Sequence, residues 1–100
     1  MRYPLALDMA GARVLVVGGD AHTAAQVAAL VDAGAQVELL GASAELFSNL
    51  LSAGRAKAIP GPFDEAMVDG CRLVITAATP ELDHSVAAAA RTRGVPVYRR

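Results

Sequence analysis

Apolar positions along the chain follow two alternating periods. Short runs rich in β-branched residues, RVLVV (Arg13 to Val17), QVELL (Gln36 to Leu40), RLVIT (Arg72 to Thr76) and VPVY (Val95 to Tyr98), read as strands, with KAI (Lys57 to Ile59) as a weaker one. Between them, apolar residues return every three or four positions. Ala24, Val27, Ala28 and Val31 form one helical stripe, which Gly34 can end as a left-handed C-terminal residue. A second helix is predicted after Ser43 as N-cap, carrying Leu46, Phe47, Leu50 and Leu51 on one face until Gly54. The third has Thr79 as N-cap, Pro80 at its first position and Glu81 in its first turn, with Leu82, Val86, Ala89 and Ala90 as the buried stripe. Arg91 and Arg93 lie where a helix C-terminus favours cations. Between the third and fourth strands, Pro60 and Pro62 around Gly61 predict an irregular segment with one helical turn at Glu65 to Val68.

Strand, helix, strand repeated in this way predicts an α/β fold with right-handed crossovers, a doubly wound parallel sheet of five strands in the order 3-2-1-4-5. RVLVV is apolar on both faces, which suits a central strand covered on each side. Residues 1–100 make one expected domain, long enough to bury about 60 to 70% of the surface its unfolded chain exposes. Charged residues are 19% of the chain and nearly balanced at a net charge of −1, so no global field draws nucleic acid or an anionic membrane. Charges interrupt every apolar stretch that approaches the ~20 residues of a membrane span, and Pro4 and Asp8 break the N-terminus as a signal peptide. The one cysteine, Cys71, has no partner for an internal disulfide or a zinc site, so a reducing, cytoplasmic setting is expected.

The stretch GGDAHT after the first predicted strand sits where a dinucleotide-binding turn would. In such a turn the first glycine makes the bend, the second admits the pyrophosphate and the third lets helix and strand pack closely, with helix-terminal amides holding the anion. Here Gly18 holds the first place, Asp20 the second and Thr23 the third, with Gly19 as a flexible neighbour. Asp20 has two readings. It can cap the helix and stand in the place of the phosphate, weakening or abolishing cofactor binding, or the loop can rearrange to admit the cofactor.

YPLALDMAGARVLVVGG at the start, GAQVELLGAS at the second strand and GPFDEAMVDGCRLVITAAT before the third helix resemble the N-terminal domain of the precorrin-2 dehydrogenase and siroheme synthase family. The resemblance covers nearly the whole chain, with its segments in the same order and spacing. It implies a Rossmann-type NAD-binding domain, followed in the family by a dimerisation domain, and oxidation of precorrin-2 to sirohydrochlorin on the way to siroheme. The NAD site it implies comprises Gly18, Gly19, Asp20, Ala21 and His22 at the first helix, Gly41, Ala42 and Ser43 near the adenosine, and Ala77, Ala78 and Thr79 near the nicotinamide half. The family pattern has a further glycine at Asp20, an Arg-Lys pair at Ala25 and Gln26, and an asparagine at Ser85. Members run on to an aspartate implicated in catalysis and to the dimerisation region. This chain stops at Arg100, short of both. The expectation is therefore a truncated NAD-binding domain, either a fragment or a relative that has lost the chemistry. It would not be catalytic by itself, and no catalytic or metal-ligating residue is assigned.

His22 and His84 are both placed in first turns at the carboxyl edge of the sheet, where they could face one crevice; ordinary surface histidines are the simpler reading. Cys71 is expected in the core or at a strand edge, and Asp64, Glu65 and Asp69 as solvated turn and cap residues. Arg2, Arg99 and Arg100 either form a small basic patch or belong to frayed termini. Three function classes follow: an NAD-dependent enzyme, a module binding a dinucleotide or related small ligand, and a docking domain using the fifth strand as an exposed edge for a second copy or a partner.

Overall fold

A computed structural model describes residues 10–41 and 47–99. The elements run β1 (Arg13–Gly18), α1 (Ala21–Asp32), β2 (Gln36–Leu40), α2 (Ser48–Ser52), β3 (Ala56–Ile59), a 3-10 turn (Glu65–Val68), β4 (Leu73–Ala77), α3 (Pro80–Thr92) and β5 (Val97–Arg99). All four strand pairings are parallel and the order is β3-β2-β1-β4-β5, the doubly wound topology expected.

β1 is central because both of its faces are apolar. Val14 and Val16 pack with Val27 and Val31 of α1 and with Phe47, whereas Leu15 and Val17 pack with Val86, Ala89 and Ala90 of α3 and with Val68. All four β1 side chains are at most 1% exposed, and each contributes about 1.5 to 3 kcal/mol by its burial. Both helical layers therefore hang on one four-residue apolar run. Gly34 ends α1 as expected: its φ is +93°, its N–H donates to the Val31 carbonyl at 2.9 Å, and Ala35 N–H reaches back to Leu30 O at 3.0 Å.

Several boundaries differ from the sequence expectation. Within the described residues α2 is only Ser48–Ser52, and Phe47 is its N-cap with no side-chain cap bond. Phe47 is a core residue at 1% exposure, yet it packs from a loop and not from a helix face; the expected cap Ser43 and the stripe residue Leu46 lie outside the described residues. β4 starts at Leu73, one residue after Arg72, whose N–H still donates to Arg13 O at 2.8 Å. β5 is cut to three residues since Pro96, which accepts from Val74 N–H at 3.0 Å, has no N–H to give in return.

The amino edge of the sheet is closed by charge. Arg13 Nε donates to Glu38 Oε1 at 2.7 Å, a bond that pushes the guanidinium pKa up, and Arg93 pairs with Asp69. At the opposite edge the strand ends are level, with Val17 beside Leu40 and Gly18 beside Ala77. There the strand order reverses between β1 and β4, the position where open α/β sheets form a ligand crevice.

Candidate functional site

The turn leaving β1 is held by backbone contacts. Gly18 has φ +73°, and a Cβ built there would come within 2.7 Å of the Ala77 carbonyl oxygen. That carbonyl accepts from Gly19 N–H at 3.2 Å, so the turns after β1 and β4 are joined. A Cβ on Gly19 would press on Phe47 and Thr23, each at 3.3 Å. The next residue, Asp20, is the N-cap of α1. Its Oδ1 accepts from Thr23 N–H at 3.0 Å and from Thr23 Oγ1 at 3.1 Å, and Thr23 is fully buried. Asp20 thus caps α1 in this structure. The carboxylate sits at the helix N-terminus, where an anionic ligand group would be drawn.

The turn leaving β4 is built as tightly. Thr79 caps α3, its hydroxyl accepting from Leu82 N–H at 3.2 Å, with Pro80 at the first helical position as the sequence predicts. Below it lies a residue that sequence reasoning missed. Asp83 is 8% exposed, and its Oδ1 accepts from the Thr76 hydroxyl at 2.6 Å and from Ala78 N–H at 3.0 Å. A signal was present, because Asp83, Val86, Ala87 and Ala90 follow the i, i+3, i+4, i+7 spacing of a buried face and all four are buried. Thr23, Thr76 and Asp83 are the buried polar residues among the described residues, and all three serve these two turns.

Between the turns and the 61–63 segment lies a cavity of about 290 Å³, lined by Gly18, Gly41, Gly61, Pro62, Phe63 and Leu82. The Gly61–Pro62 peptide is cis. Of the residues singled out from sequence, Gly18, Gly19 and Ala77 meet at the joined turns and Gly41 forms the far wall of the cleft. Asp20, Ala21 and His22 open α1, and Ala78 and Thr79 lead into α3. Ala42 and Ser43 lie outside the described residues. A second cavity, of about 470 Å³, shares Pro62, Phe63 and Leu82 and continues to Glu65, His84 and Ser85. His22 lines neither cavity, so no crevice shared by the two histidines is found.

The glycine turn is joined to the switch-point strand with a small apolar cleft beside it, and residues 5–100 match the family described as "Putative NAD(P)-binding". The chain belongs to this NAD(P)-binding family. It is 39% identical over 100 residues to siroheme synthase 1 of Halorhodospira halophila, covering 95% of this chain and 20% of that protein. It is 37% identical to the siroheme synthase of Pseudomonas fluorescens, covering 97% of this chain and 22% of the relative. The chain thus spans about a fifth of the length of these relatives. Among solved structures its fold matches SirC, precorrin-2 dehydrogenase, with a TM-score of 0.74 at 19% identity, covering 95% of this chain and 48% of that one. It also matches the C-terminal domain of a Pyrococcus furiosus hydrogenase, with a TM-score of 0.64 at 18% identity over 98% of this chain and all of that domain.

The remaining candidate groups of this family member lie away from the cleft. Cys71 is buried at the amino edge, its Sγ donating to Met67 O at 3.4 Å. Burial pushes the thiol pKa up, and nearby Arg13 only partly opposes this. Folded chain is therefore expected to react with iodoacetamide at neutral pH far more slowly than urea-unfolded chain. Equal alkylation rates by mass spectrometry would contradict the buried placement. Asp64 caps the 3-10 turn by accepting from Ala66 N–H at 2.8 Å, and Asp69 and Glu65 pair with Arg93. Among the described residues no group of three His, Cys, Asp or Glu side chains is placed to hold a metal, and no helix is long and apolar enough to cross a membrane.

Proposed function

We propose that residues 1–100 form a siroheme-synthase-type nucleotide-binding unit that holds NAD in the crevice between β1 and β4 and is not catalytic by itself. The observation that carries this reading is the pair of joined turns: Gly18 packs against the Ala77 carbonyl with no room for a Cβ, and Gly18 and Gly41, which carry no side chains, both line the cleft. A dinucleotide held there would have its pyrophosphate near Gly18, Gly19 and the opening residues Asp20, Ala21 and His22. The adenosine would lie toward Gly41, Ala42 and Ser43, and the other half would run along Ala77, Ala78 and Thr79. NAD supplies a hydride acceptor when bound; the chain's part is to bind and orient it. Asp20 opposes this fit. A phosphate oxygen ~4 Å from its carboxylate meets ~1 kcal/mol of repulsion in water and ~4 kcal/mol at an effective dielectric of 20. Affinity below that of a glycine-rich turn follows.

For a siroheme-synthase-type protein that carries this unit, we take precorrin-2 as the substrate. A cleft of about 290 Å³ is at the lower end of small-ligand sites and does not enclose a tetrapyrrole. Hydride transfer needs the donor carbon clamped against the nicotinamide, and such positioning supplies several orders of magnitude in rate. The unit is placed in the cytoplasm, which keeps a lone cysteine such as Cys71 reduced. β5 borders the sheet beside exposed Tyr98, and this edge is where a second copy or a partner would add.

A second reading, a module that has lost dinucleotide binding, draws on one observation: the Asp20 carboxylate is already satisfied by two donors from Thr23. Calorimetric titration decides between them. Saturable binding of NAD with one site per chain is expected, together with background NADH formation when precorrin-2 is added anaerobically. Flat isotherms for both NAD and NADP would favour the second reading, and rapid turnover by the 100 residues alone would overturn the non-catalytic part.

A further inference from the structure

Asp83 stands on the buried face of α3, where an apolar residue would extend the stripe of Val86, Ala87 and Ala90. Burying a carboxylate is costly unless it is paired and hydrogen-bonded. Asp83 takes part in none of the ion pairs among the described residues, and its burial is matched instead by two hydrogen bonds to one oxygen. Both donors flank one residue. Thr76 precedes Ala77 and Ala78 follows it, so the carboxylate grips the chain on either side of Ala77. The Ala77 carbonyl in turn accepts from Gly19 N–H at 3.2 Å and lies where a Gly18 Cβ would be. An unbroken path of contacts therefore runs from α3 through Asp83 and Ala77 to the glycine turn.

We propose that Asp83 is a positioning residue for the nucleotide site: through Ala77 it fixes the glycine turn in the shape that receives a dinucleotide. This rests on the reading of the crevice as a dinucleotide site. For stability alone a buried carboxylate offers little, since well-packed apolar replacements of buried charged groups are often neutral or stabilising. Its gain lies in order. A turn held before the ligand arrives does not have to be immobilised by binding, and the entropy that would otherwise be lost is retained as affinity.

The test compares wild type with Asp83→Asn, Asp83→Ala and Thr76→Val, measuring NAD affinity by calorimetry well below each unfolding midpoint and amide exchange at Ala78 and Gly19. Asparagine keeps an oxygen that can accept both bonds, so Asp83→Asn should bind NAD within about threefold of wild type. Asp83→Ala leaves Ala78 N–H and the Thr76 hydroxyl without their acceptor and should weaken NAD roughly tenfold, with faster exchange at both amides. Should the alanine variant not fold, Thr76→Val, which removes one donor and keeps Asp83, is expected to weaken NAD severalfold. Unchanged affinity in the folded Ala or Val variant, even with a lowered unfolding midpoint, would mean a structural role only and overturn the proposal. So would an Asn variant as weak as the Ala variant. A wild-type chain that binds no dinucleotide is a different result: it removes the underlying reading, and this proposal with it, and is recognised because all four proteins are silent.

Discussion

Replacing Gly18 by alanine should lower the unfolding free energy by about 3 kcal/mol, the sum of a left-handed backbone strain of ~1–2 kcal/mol and a steric overlap of similar size. The overlap has a specific origin. A Cβ at Gly18 falls 2.7 Å from the Ala77 carbonyl oxygen and 3.1 Å from its carbon, and both atoms belong to backbone that is paired in the sheet. Neither can swing aside as a side chain would. Gly41 supplies the control, because its φ of +67° is nearly the same as at Gly18 while no atom of the described residues lies within 4 Å of its Cβ position. Gly41→Ala should therefore show the backbone strain alone, ~1–2 kcal/mol. Urea unfolding of the two variants separates the terms. If Gly18→Ala proves no worse than Gly41→Ala, the two turns are not locked together and the account of the crevice built on that contact fails.

Strand positions and order were readable from the sequence because β1 is apolar at all four positions from Val14 to Val17, which suits a strand buried on both faces, and because most connections carry a helical stripe. Helix ends were readable where a single residue decides them. Gly34 and Thr79 act where their conformational freedom and side-chain chemistry place them. Boundaries failed where one pattern serves two structures. The pair Phe47 and Leu50 has the same spacing whether Phe47 rides on the helix or packs from its cap, and the core takes the ring either way. Pro96 shortened β5 through a missing N–H, a loss that an apolar run such as VPVY does not announce.

At the site, the local chemistry was readable and the tertiary chemistry was not. Asp20 as a helix cap follows from residue type and position, but only the structure shows its second bond, from the hydroxyl of the fully buried Thr23. Asp83 drew no separate reading from the sequence, since an acidic residue in the first turn of α3 suits the helix dipole without further explanation. Only the packing of α3 under β4 shows the carboxylate turned inward to Thr76 and Ala78. Phe63 likewise became a cleft wall through the fold of the 61–63 segment.

Asp20→Asn is expected to tighten NAD binding by roughly fivefold to tenfold, the lower part of the range that ~1 to ~4 kcal/mol of charge repulsion allows, because Asp20 is exposed and solvent screens it. Asparagine ranks with aspartate as a cap, and its oxygen can still accept from Thr23 N–H and Oγ1, so stability should change little. Asp20→Gly removes the same charge but also the acceptor. Glycine by itself is a tolerable cap, at a few tenths of a kcal/mol, yet here the buried Thr23 hydroxyl loses its partner as well, which raises the loss to about 1 kcal/mol. The two variants should therefore agree in affinity gain and differ in stability, and the gain should shrink as salt screens the carboxylate. Calorimetry at low and high ionic strength checks this. An asparagine variant that binds NAD no better than wild type would show that the loop rearranges to carry the Asp20 carboxylate away from the phosphates, and that the capped turn is not the state that binds.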